Sequence, residues 1–324
     1  MPLPKILQDN LSIPVIGSPL FLVSGPELVI AQCKAGIVGS FPALNARPQH
    51  VLEEWLIRIK KELAQAKSEN PDLPIAPYAV NQICHASNDR LMGDMELCVK
   101  HEAPIIITSL RPPEEIVTAA HSYGGLVYHD VISVRHAKKA AEQGVDGLIL
   151  VCAGAGGHAG TLSPFALVRE VREFFDGTII LSGSISSGSA VASSLALGAD
   201  LAYLGTRFIA TEEANAEEEY KDMLINSVAD DIVYSSLFTG VHGNYLKGSV
   251  ENAGLDPNNL PEADKSSMNF GSGGNTDAKA WKDIWGSGQG IGSIKDSPSV
   301  QTLVDQLTIE FKKAVEDLNQ KSTY

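Results

Sequence analysis

One pattern recurs along the first two thirds of the chain: a short apolar run, a turn, and then a stretch in which apolar residues return at helical spacing. The apolar runs are rich in Val, Ile and Leu, as in strands that are buried on both faces. About eight of them predict β-strands, at 14–17, 36–40, 75–81, 104–108, 125–129, 147–152, 177–182 and 201–205.

The stretches between these runs predict helices, among them 49–66, 89–100, 113–122, 134–143, 164–175 and 187–197. Strand–helix alternation predicts a parallel sheet, because each crossover must carry the chain back to the edge where the previous strand began. Eight such units favour closure into a (β/α)8 TIM barrel, an α/β fold. An open, doubly wound parallel sheet is the alternative.

The alternation breaks after Ala210. Residues 211–285 begin with an acidic stretch and continue through VHGNYLKG, GLDPNN and NFGSGGNTD. Because long loops in compact proteins are usually functional or flexible, we interpret this segment as a mostly helical and loop-rich insertion after the eighth strand, packed over the barrel mouth. A last amphipathic helix at 300–318 would complete the wall. The predicted organisation is a barrel formed by 1–210 and 286–324, capped by 211–285.

Composition narrows the class of protein. Of the 324 residues, 44% are hydrophobic and 20% are charged, which is typical of a folded globular chain. The net charge of −14 argues against nucleic acid and anionic membranes as partners, because both would repel the chain. The four cysteines show no metal-ligand spacing, and neither a signal peptide nor a membrane-spanning run is apparent. We therefore expect a cytoplasmic protein with reduced thiols and no metal, and homo-oligomer formation stays open.

The ends of the last two predicted strands carry the strongest chemical signal. The seventh runs into GSISSG, which starts at Gly183 and Ser184, and the eighth runs into Gly205 and Thr206. Small residues let backbone N–H groups approach an anion, and the helix that follows adds a partial positive charge. Since these two loops are the usual phosphate site of such barrels, we predict phosphate binding there. Two ordinary tight turns are the alternative.

A histidine after the sixth predicted strand is the main candidate for proton transfer. His158 lies in AGAGGHAG, where the density of glycine assigns it to no helical face. Imidazole titrates near neutral pH and is the commonest general base. A structural or solvated histidine is the alternative. His85, His129 and His242 are further candidates for the site, whereas His50, His101, His121 and His136 are expected on helix surfaces or at helix ends.

Three other segments bear on the site. Asn81 and Gln82 are predicted to end the third strand, where a carboxamide can both donate and accept hydrogen bonds or simply cap a turn. The segment WGSGQGIG (285–292) lacks the features of a Walker or Rossmann motif and is expected to close back on the barrel mouth. The segment YSSLFTGVHGNY (234–245) is interpreted either as a lid or as an ordinary turn.

Taken together, these segments resemble the nitronate monooxygenase family, which belongs to the FMN-dependent barrel oxidoreductases. The motifs that carry the resemblance are VIGSPLFLVSGPELVIAQCKAGIVGSF, YAVNQ, AGGHAG, LSGSISSG, ALGAD…GTRFIAT and WGSGQGIG, and they cover nearly the whole chain. The resemblance implies that His158 is the active-site histidine. It also implies that FMN is bound by Pro19, Leu20 and Leu22 against the isoalloxazine ring, Asn81 at its polar edge, Gly183, Ser184, Gly205 and Thr206 at the phosphate, and Ser287 and Gln289 at the flavin border.

Two positions depart from the family pattern. Many members have glutamate where this chain has Gly154, and a second glycine where it has Ser184. A serine keeps its backbone N–H for the phosphate, so FMN binding is expected to survive. The absence of the glutamate bears more on the identity of the substrate.

Three functions follow from these observations. The resemblance implies oxidation of small alkyl nitronates by O2 through bound FMN. An NAD(P)H-dependent flavin oxidoreductase acting on quinones or an enoyl thioester is the first alternative. A barrel without flavin, such as an aldolase or isomerase of phosphate esters, is the second, although none of the predicted strand ends presents the lysine that a Schiff-base aldolase needs.

Overall fold

A computed structural model describes residues 3–111, 113–263 and 283–322. Eight parallel strands form one sheet, in the order β1-β9-β8-β6-β5-β4-β3-β2. They are β1 (Val15–Gly17), β2 (Gly39–Pro42), β3 (Tyr78–Cys84), β4 (Ile105–Leu110), β5 (Leu126–Val131), β6 (Gly147–Val151), β8 (Thr178–Ser182) and β9 (Leu201–Leu204).

Backbone hydrogen bonds join the two ends of this sheet. Gly17 N donates to Val38 O at 2.8 Å, and Val38 N donates to Val15 O at 3.1 Å, so β1 meets the chain just before β2. The sheet is therefore a TIM barrel, as predicted, and the open-sheet alternative is wrong.

Twelve helices lie outside or between the strands of the described residues. They are α1 (Lys5–Gln8), α2 (Pro26–Lys34), α3 (His50–Glu69), α4 (Leu91–Lys100), α5 (Glu114–His121), α6 (Val134–Glu142), α7 (Pro164–Arg172), α8 (Gly188–Ala196), α9 (Thr206–Ile209), α10 (Glu218–Asn226), α11 (Lys247–Asn252) and α12 (Val300–Lys321). Serine side chains cap three of them, since Ser133, Ser187 and Ser299 each accept a hydrogen bond from the backbone N–H three residues later.

The core has two layers. Inside the barrel, apolar side chains from the strands form one cluster that includes Ile16, Ile107, Tyr128 and Ile180, and Leu7 of α1 packs into it. Outside, the opposite faces of the strands pack against the helices in two further clusters. Both faces of the sheet are thus covered, which is why the strands read as continuous apolar runs.

The segment after the barrel differs from its predicted character. It contains α10 and α11, but also an antiparallel pair of strands, β10 (Ile232–Ser235) and β11 (Gly243–Leu246). These strands were missed because they are short. In addition, all four residues of β11 (GNYL) are buried, so its sequence shows no alternation of polar and apolar residues that matches exposed and buried faces. The NFGSGGNTD part of the predicted insertion lies outside the described residues.

A third short strand connects this sheet to the barrel. β7 (Gly157–His158), in the loop after β6, pairs with β11 so that His158 lies opposite Gly243. The cap is therefore hydrogen-bonded to the loop that carries the candidate base.

Helix α12 completes the outer wall by packing on α8 and α2. Its Glu310 carboxylate accepts a hydrogen bond from the N–H of Gly188, the first residue of α8, at 2.7 Å. The two helices approach so closely there that a Cβ on Gly188 would lie 2.1 Å from the carbonyl oxygen of Leu307.

Three general features complete the description. No helix in the described part of the chain is long and apolar enough to cross a membrane. The same residues contain no cluster of three or more His, Cys, Asp or Glu side chains suited to a metal ion. All four cysteines are buried free thiols.

Candidate active site

A cavity of about 1520 Å³ opens at the carboxyl ends of the barrel strands. Every strand of the barrel contributes a residue in or just beyond its carboxyl-terminal half, namely Ser18, Pro42, Asn81, Ser109, Asp130, Val151, Ser182 and Gly205. The cap adds Tyr220, Leu237, Phe238, Thr239 and Val241. This end of the barrel is where enzymes with this fold build their active sites.

Most of the site residues implied by the resemblance line this cavity. They are Pro19, Leu20, Leu22, Asn81, His158, Gly183, Ser184, Gly205 and Thr206. Ser287 and Gln289 do not line it, although the glycines around them, Gly286, Gly288 and Gly290, do. The Ser287 side chain is fully buried, and Gln289 is exposed while its backbone N–H donates to Gly154 O at 2.9 Å. The WGSGQGIG segment thus meets the cavity through Trp285 and through glycine backbone.

One end of the cavity is polar and rich in backbone. Gly183 and Ser184 have φ values of 134° and 56°, a region that favours glycine, which accounts for the glycine often found where this chain has Ser184. The side chain of Thr206 faces the same end and accepts a hydrogen bond from Gly288 N at 2.9 Å. No acidic residue occurs in 182–186 or 205–206, so these two loops contain no side chain that would repel an anion.

Two details of this end differ from the expected phosphate site. The N–H of Ser184 donates to Gly154 O at 3.3 Å, so this amide is already bonded within the protein. The first N–H of α8 is bonded to Glu310, so that helix offers its N-terminus to a carboxylate rather than to the cavity. The guanidinium of Arg207 is buried and paired with Asp296 at 2.7 Å. A phosphate would therefore depend on the remaining backbone N–H groups and on hydroxyls.

The other end of the cavity is apolar, and its backbone is strained. Leu22 (φ 62°) and Leu110 (φ 80°) adopt a left-handed conformation that is costly for branched residues, and both line the cavity. Asn45 holds the first of these loops, because it accepts from Leu22 N at 3.0 Å and donates to Leu20 O at 2.9 Å. No sequence pattern points to Asn45, since the residues it contacts lie more than twenty positions away.

His158 is fixed in position by the cap. Its Nε2 lies 2.8 Å from Thr239 Oγ1, and the Thr239 hydroxyl lies 3.0 Å from Val241 O, where it can donate its proton. Burial lowers the pKa of His158 to about 4, so the imidazole is neutral at physiological pH.

A row of hydrogen bonds crosses the ends of β3, β4 and β5. Asn81 Nδ2 donates to Ser109 Oγ at 3.0 Å, and Ser109 Oγ donates to Asp130 Oδ2 at 2.6 Å. The prediction that Asn81 and Gln82 end their strand is wrong, because β3 continues to Cys84. Asn81 reaches the cavity from within the strand, whereas Gln82 points the other way, towards Cys98. Sequence reasoning assigned no role to Ser109 or Asp130.

The other candidate histidines, whose place the sequence left open, lie outside the cavity. His129 is buried outside the cavity, where its Nδ1 bonds Thr108 Oγ1 at 2.8 Å, because strand alternation turns the next residue, Asp130, inwards. His85 and His242 do not line the cavity either. His136, expected on a helix surface, does line it.

Comparison with known proteins places this site in a family. The family model described as nitronate monooxygenase matches residues 6–310. A nitronate monooxygenase from Paraburkholderia phytofirmans is 27% identical over 95% of this chain and 94% of its own length. The chain therefore belongs to the nitronate monooxygenase family of oxidoreductases.

The chain is also similar to two further known proteins. One from Rhodococcus jostii, named (3aS,4S,5R,7aS)-5-hydroxy-7a-methyl-1-oxo-octahydro-1H-indene-4-carboxyl-CoA dehydrogenase, is 25% identical over 74% of this chain, and the match spans only 64% of that protein. The solved structure of nitroalkane oxidase from Streptomyces ansochromogenes has a TM-score of 0.77 and 21% identity, over 97% of this chain and all of that one. At that identity the likeness shows the shared fold.

Proposed function

We propose that this protein is an FMN-dependent nitronate monooxygenase that oxidises small alkyl nitronates with O2. The observation that carries the proposal is the position of His158. A neutral, anchored imidazole lies on the wall of the same cavity as the polar loops after β8 and β9. Membership of the nitronate monooxygenase family supports the reaction class.

The cavity suits FMN in the chemistry of its walls. Backbone and hydroxyl groups at Gly183, Ser184, Gly205 and Thr206 would hold the phosphate, with no neighbouring carboxylate in these loops to repel it. Pro19, Leu20 and Leu22 form an apolar wall for the isoalloxazine ring, and Asn81 offers hydrogen bonds to a polar edge. When bound, FMN supplies the transfer of electrons from the substrate to O2.

The protein's own contribution to the reaction is the transfer of one proton to His158. The imidazole of His158, held in place by Thr239 and neutral, can take up a proton released at the substrate and hold it in the cavity. The cap residues Leu237, Phe238 and Val241 cover this part of the cavity and limit access of water.

A second candidate function is an NAD(P)H-dependent flavin oxidoreductase that acts on a quinone or a thioester. Its support is the size of the cavity, since 1520 Å³ exceeds the roughly 300–1000 Å³ of most small-molecule sites and leaves room for more than FMN. The relative named as a carboxyl-CoA dehydrogenase points in the same direction.

Two measurements on the purified protein distinguish these functions. Oxygen consumption with a series of alkyl nitronates tests the first, and anaerobic mixing with NADH or NADPH while flavin absorbance is followed tests the second. We expect oxygen uptake with nitronates and slow bleaching by either nucleotide. Rapid bleaching without any nitronate turnover would favour the alternative, and a protein that stays colourless with added FMN would exclude both.

Replacement of His158 by Asn tests the role of the imidazole. Because His158 bonds to Thr239 of the cap and is not among the residues assigned to the phosphate, we expect H158N to retain FMN and to lose about 10²-fold or more of its turnover, the usual scale for a general base. His242→Asn is the matched control, since this histidine belongs to the cap but does not line the cavity. Near-normal turnover in H158N, or equal losses in both variants, would remove His158 from the reaction.

A further inference from the structure

Asp130 is the one carboxylate at the strand ends that line the cavity, and its hydrogen bonding is incomplete. Oδ2 accepts from Ser109, whereas Oδ1 is buried and has no hydrogen-bond partner among the described residues. None of the ion pairs formed in the described part of the chain includes Asp130. A buried carboxylate with a single donor and no cation is poorly stabilised in its ionised form.

Although Oδ1 is buried, Asp130 as a whole is only partly buried and lines the cavity, so water reaches the carboxylate from the cavity in the free protein. A flat aromatic ligand that fills the cavity would expel that water without bringing a positive charge. The ionised carboxylate would then lose solvation that its single hydrogen bond from Ser109 cannot replace, whereas the neutral acid would lose little and would gain the ability to donate.

We infer that Asp130 belongs to the ligand site and takes up one proton when FMN fills the cavity. The inference rests on the proposed binding of FMN. It makes Asp130 a positioning residue that presents a neutral, hydrogen-bonding wall to the cofactor, and it links cofactor affinity to pH.

The titration window follows from the surroundings of Asp130. Burial raises the pKa of Asp130 to about 7, and the Ser109 hydrogen bond opposes this rise. Above pH 7 the free protein is therefore mostly ionised at Asp130, and binding must be accompanied by proton uptake. Because binding favours the protonated form, affinity falls as the pH rises through this window.

The other titratable groups nearby do not share this window. Tyr203 on β9 and Cys84 on β3 both interact with Asp130, and burial raises the pKa of each, to about 12 for Cys84, so both are neutral. His158 and His136 also line the cavity, and burial lowers the pKa of both, to about 4 for His158. The remaining charged residues of the lining are Arg47, which bonds Leu44 O at 2.7 Å, and Glu217.

Calorimetry of FMN binding to the flavin-free protein tests the inference, because titrations in buffers of different ionisation enthalpy count the protons taken up. The control is Asp130→Asn, which cannot ionise and binds the same phosphate. At pH 8 we expect wild type to take up about 0.5–1 proton more than D130N, and at pH 5.5 the two should agree. Between pH 6 and pH 8, FMN affinity should fall up to about tenfold further in wild type than in D130N.

Ser109→Ala provides an independent check if D130N folds poorly. Loss of the one hydrogen bond that the described residues donate to the carboxylate should raise the pKa of Asp130, and proton uptake should move to higher pH. Equal proton counts in wild type and D130N at pH 8, or an unshifted S109A profile, would overturn the inference while leaving FMN binding intact. Failure of all three proteins to bind FMN would overturn the flavin proposal and this inference with it.

Discussion

The two positions at which this chain departs from its family, Gly154 and Ser184, are in direct contact. A Cβ on Gly154 would lie 2.1 Å from Ser184 Oγ, and Ser184 N donates to Gly154 O. Gly154 also has a φ of 81°, which a side chain adopts only with strain. The serine thus occupies the space that a side chain at 154 would need, so the two positions are sterically coupled.

Gly154→Ala tests this coupling. We expect it to lower the free energy of unfolding by about 1–3 kcal/mol more than Gly124→Ala, because overpacking is added to backbone strain. Gly124 is a matched control, with a φ of 83° and nothing within 4 Å of its Cβ position. Urea unfolding measures both, and Ser184→Ala in the G154A background should recover part of the difference. Equal costs at the two glycines would show that Ser184 yields without strain.

At the scale of elements, the contact between α8 and α12 closes the barrel wall. Gly188 lets the helices touch, because its Cβ would lie 2.1 Å from Leu307 O and 2.4 Å from Phe311 N. Both atoms are backbone and cannot move aside alone. The Glu310 carboxylate then caps α8 at its first N–H.

Gly188→Ala should therefore displace α12 and lower the free energy of unfolding by about 2 kcal/mol or more, since overpacking costs about 1–3 kcal/mol and the Glu310 cap is lost as well. Gly292→Ala is the control, because nothing lies within 4 Å of that Cβ position. Chemical denaturation of both variants measures the difference. Similar stability for the two would mean that α12 shifts without cost.

The elements of the barrel were predictable because their patterns are local. Short apolar runs and helical periods placed all eight barrel strands within a few residues. β3 was ended too early because the polar pair Asn81-Gln82 looks like a strand end, although one side chain enters the cavity and the other packs outside. α2 was missed because its sequence, PELVIAQCK, is apolar on most faces.

Residues of the candidate site could be predicted only where they belong to recognisable sequence motifs. Gly183, Gly205 and His158 could be found from glycine-rich loops, and the resemblance implied Pro19 and Asn81. Ser109 and Asp130 belong to the site through register, since β3, β4 and β5 bring them beside Asn81. No sequence pattern states which of the neighbours His129 and Asp130 points inwards, and the structure assigns that place to Asp130.

At the scale of the whole molecule, cap and barrel are held together by hydrogen bonds at several points. Besides the β7–β11 pairing, Asn244 Nδ2 donates to Ala155 O at 2.6 Å, and Tyr234 Oη donates to Ala159 O at 2.9 Å. The predicted cap, 211–285, is therefore a segment of the sequence that these hydrogen bonds hold against the barrel. The contacts argue that cap and barrel unfold as one cooperative unit.

Tryptophan fluorescence tests this cooperativity. Trp55 packs on Phe41 in the barrel, and Trp285 stacks on Tyr220 beneath the cap. We expect Trp55→Phe and Trp285→Phe variants to unfold in urea with transitions that coincide when followed by fluorescence and by circular dichroism. A separate early transition that disappears only in W285F would show that the cap unfolds alone.

The closure of the ring also sets the order of events when the chain is made. β1 is synthesised first, yet Val15 pairs with Ala202 of β9. At translation rates of about 5–20 residues per second, β1 waits about 10–40 s for this partner. Until then the growing parallel sheet has open edges, which can pair with other chains. Protection of those edges on the ribosome, rather than the stability of the finished barrel, would then limit how much of the protein reaches its closed form.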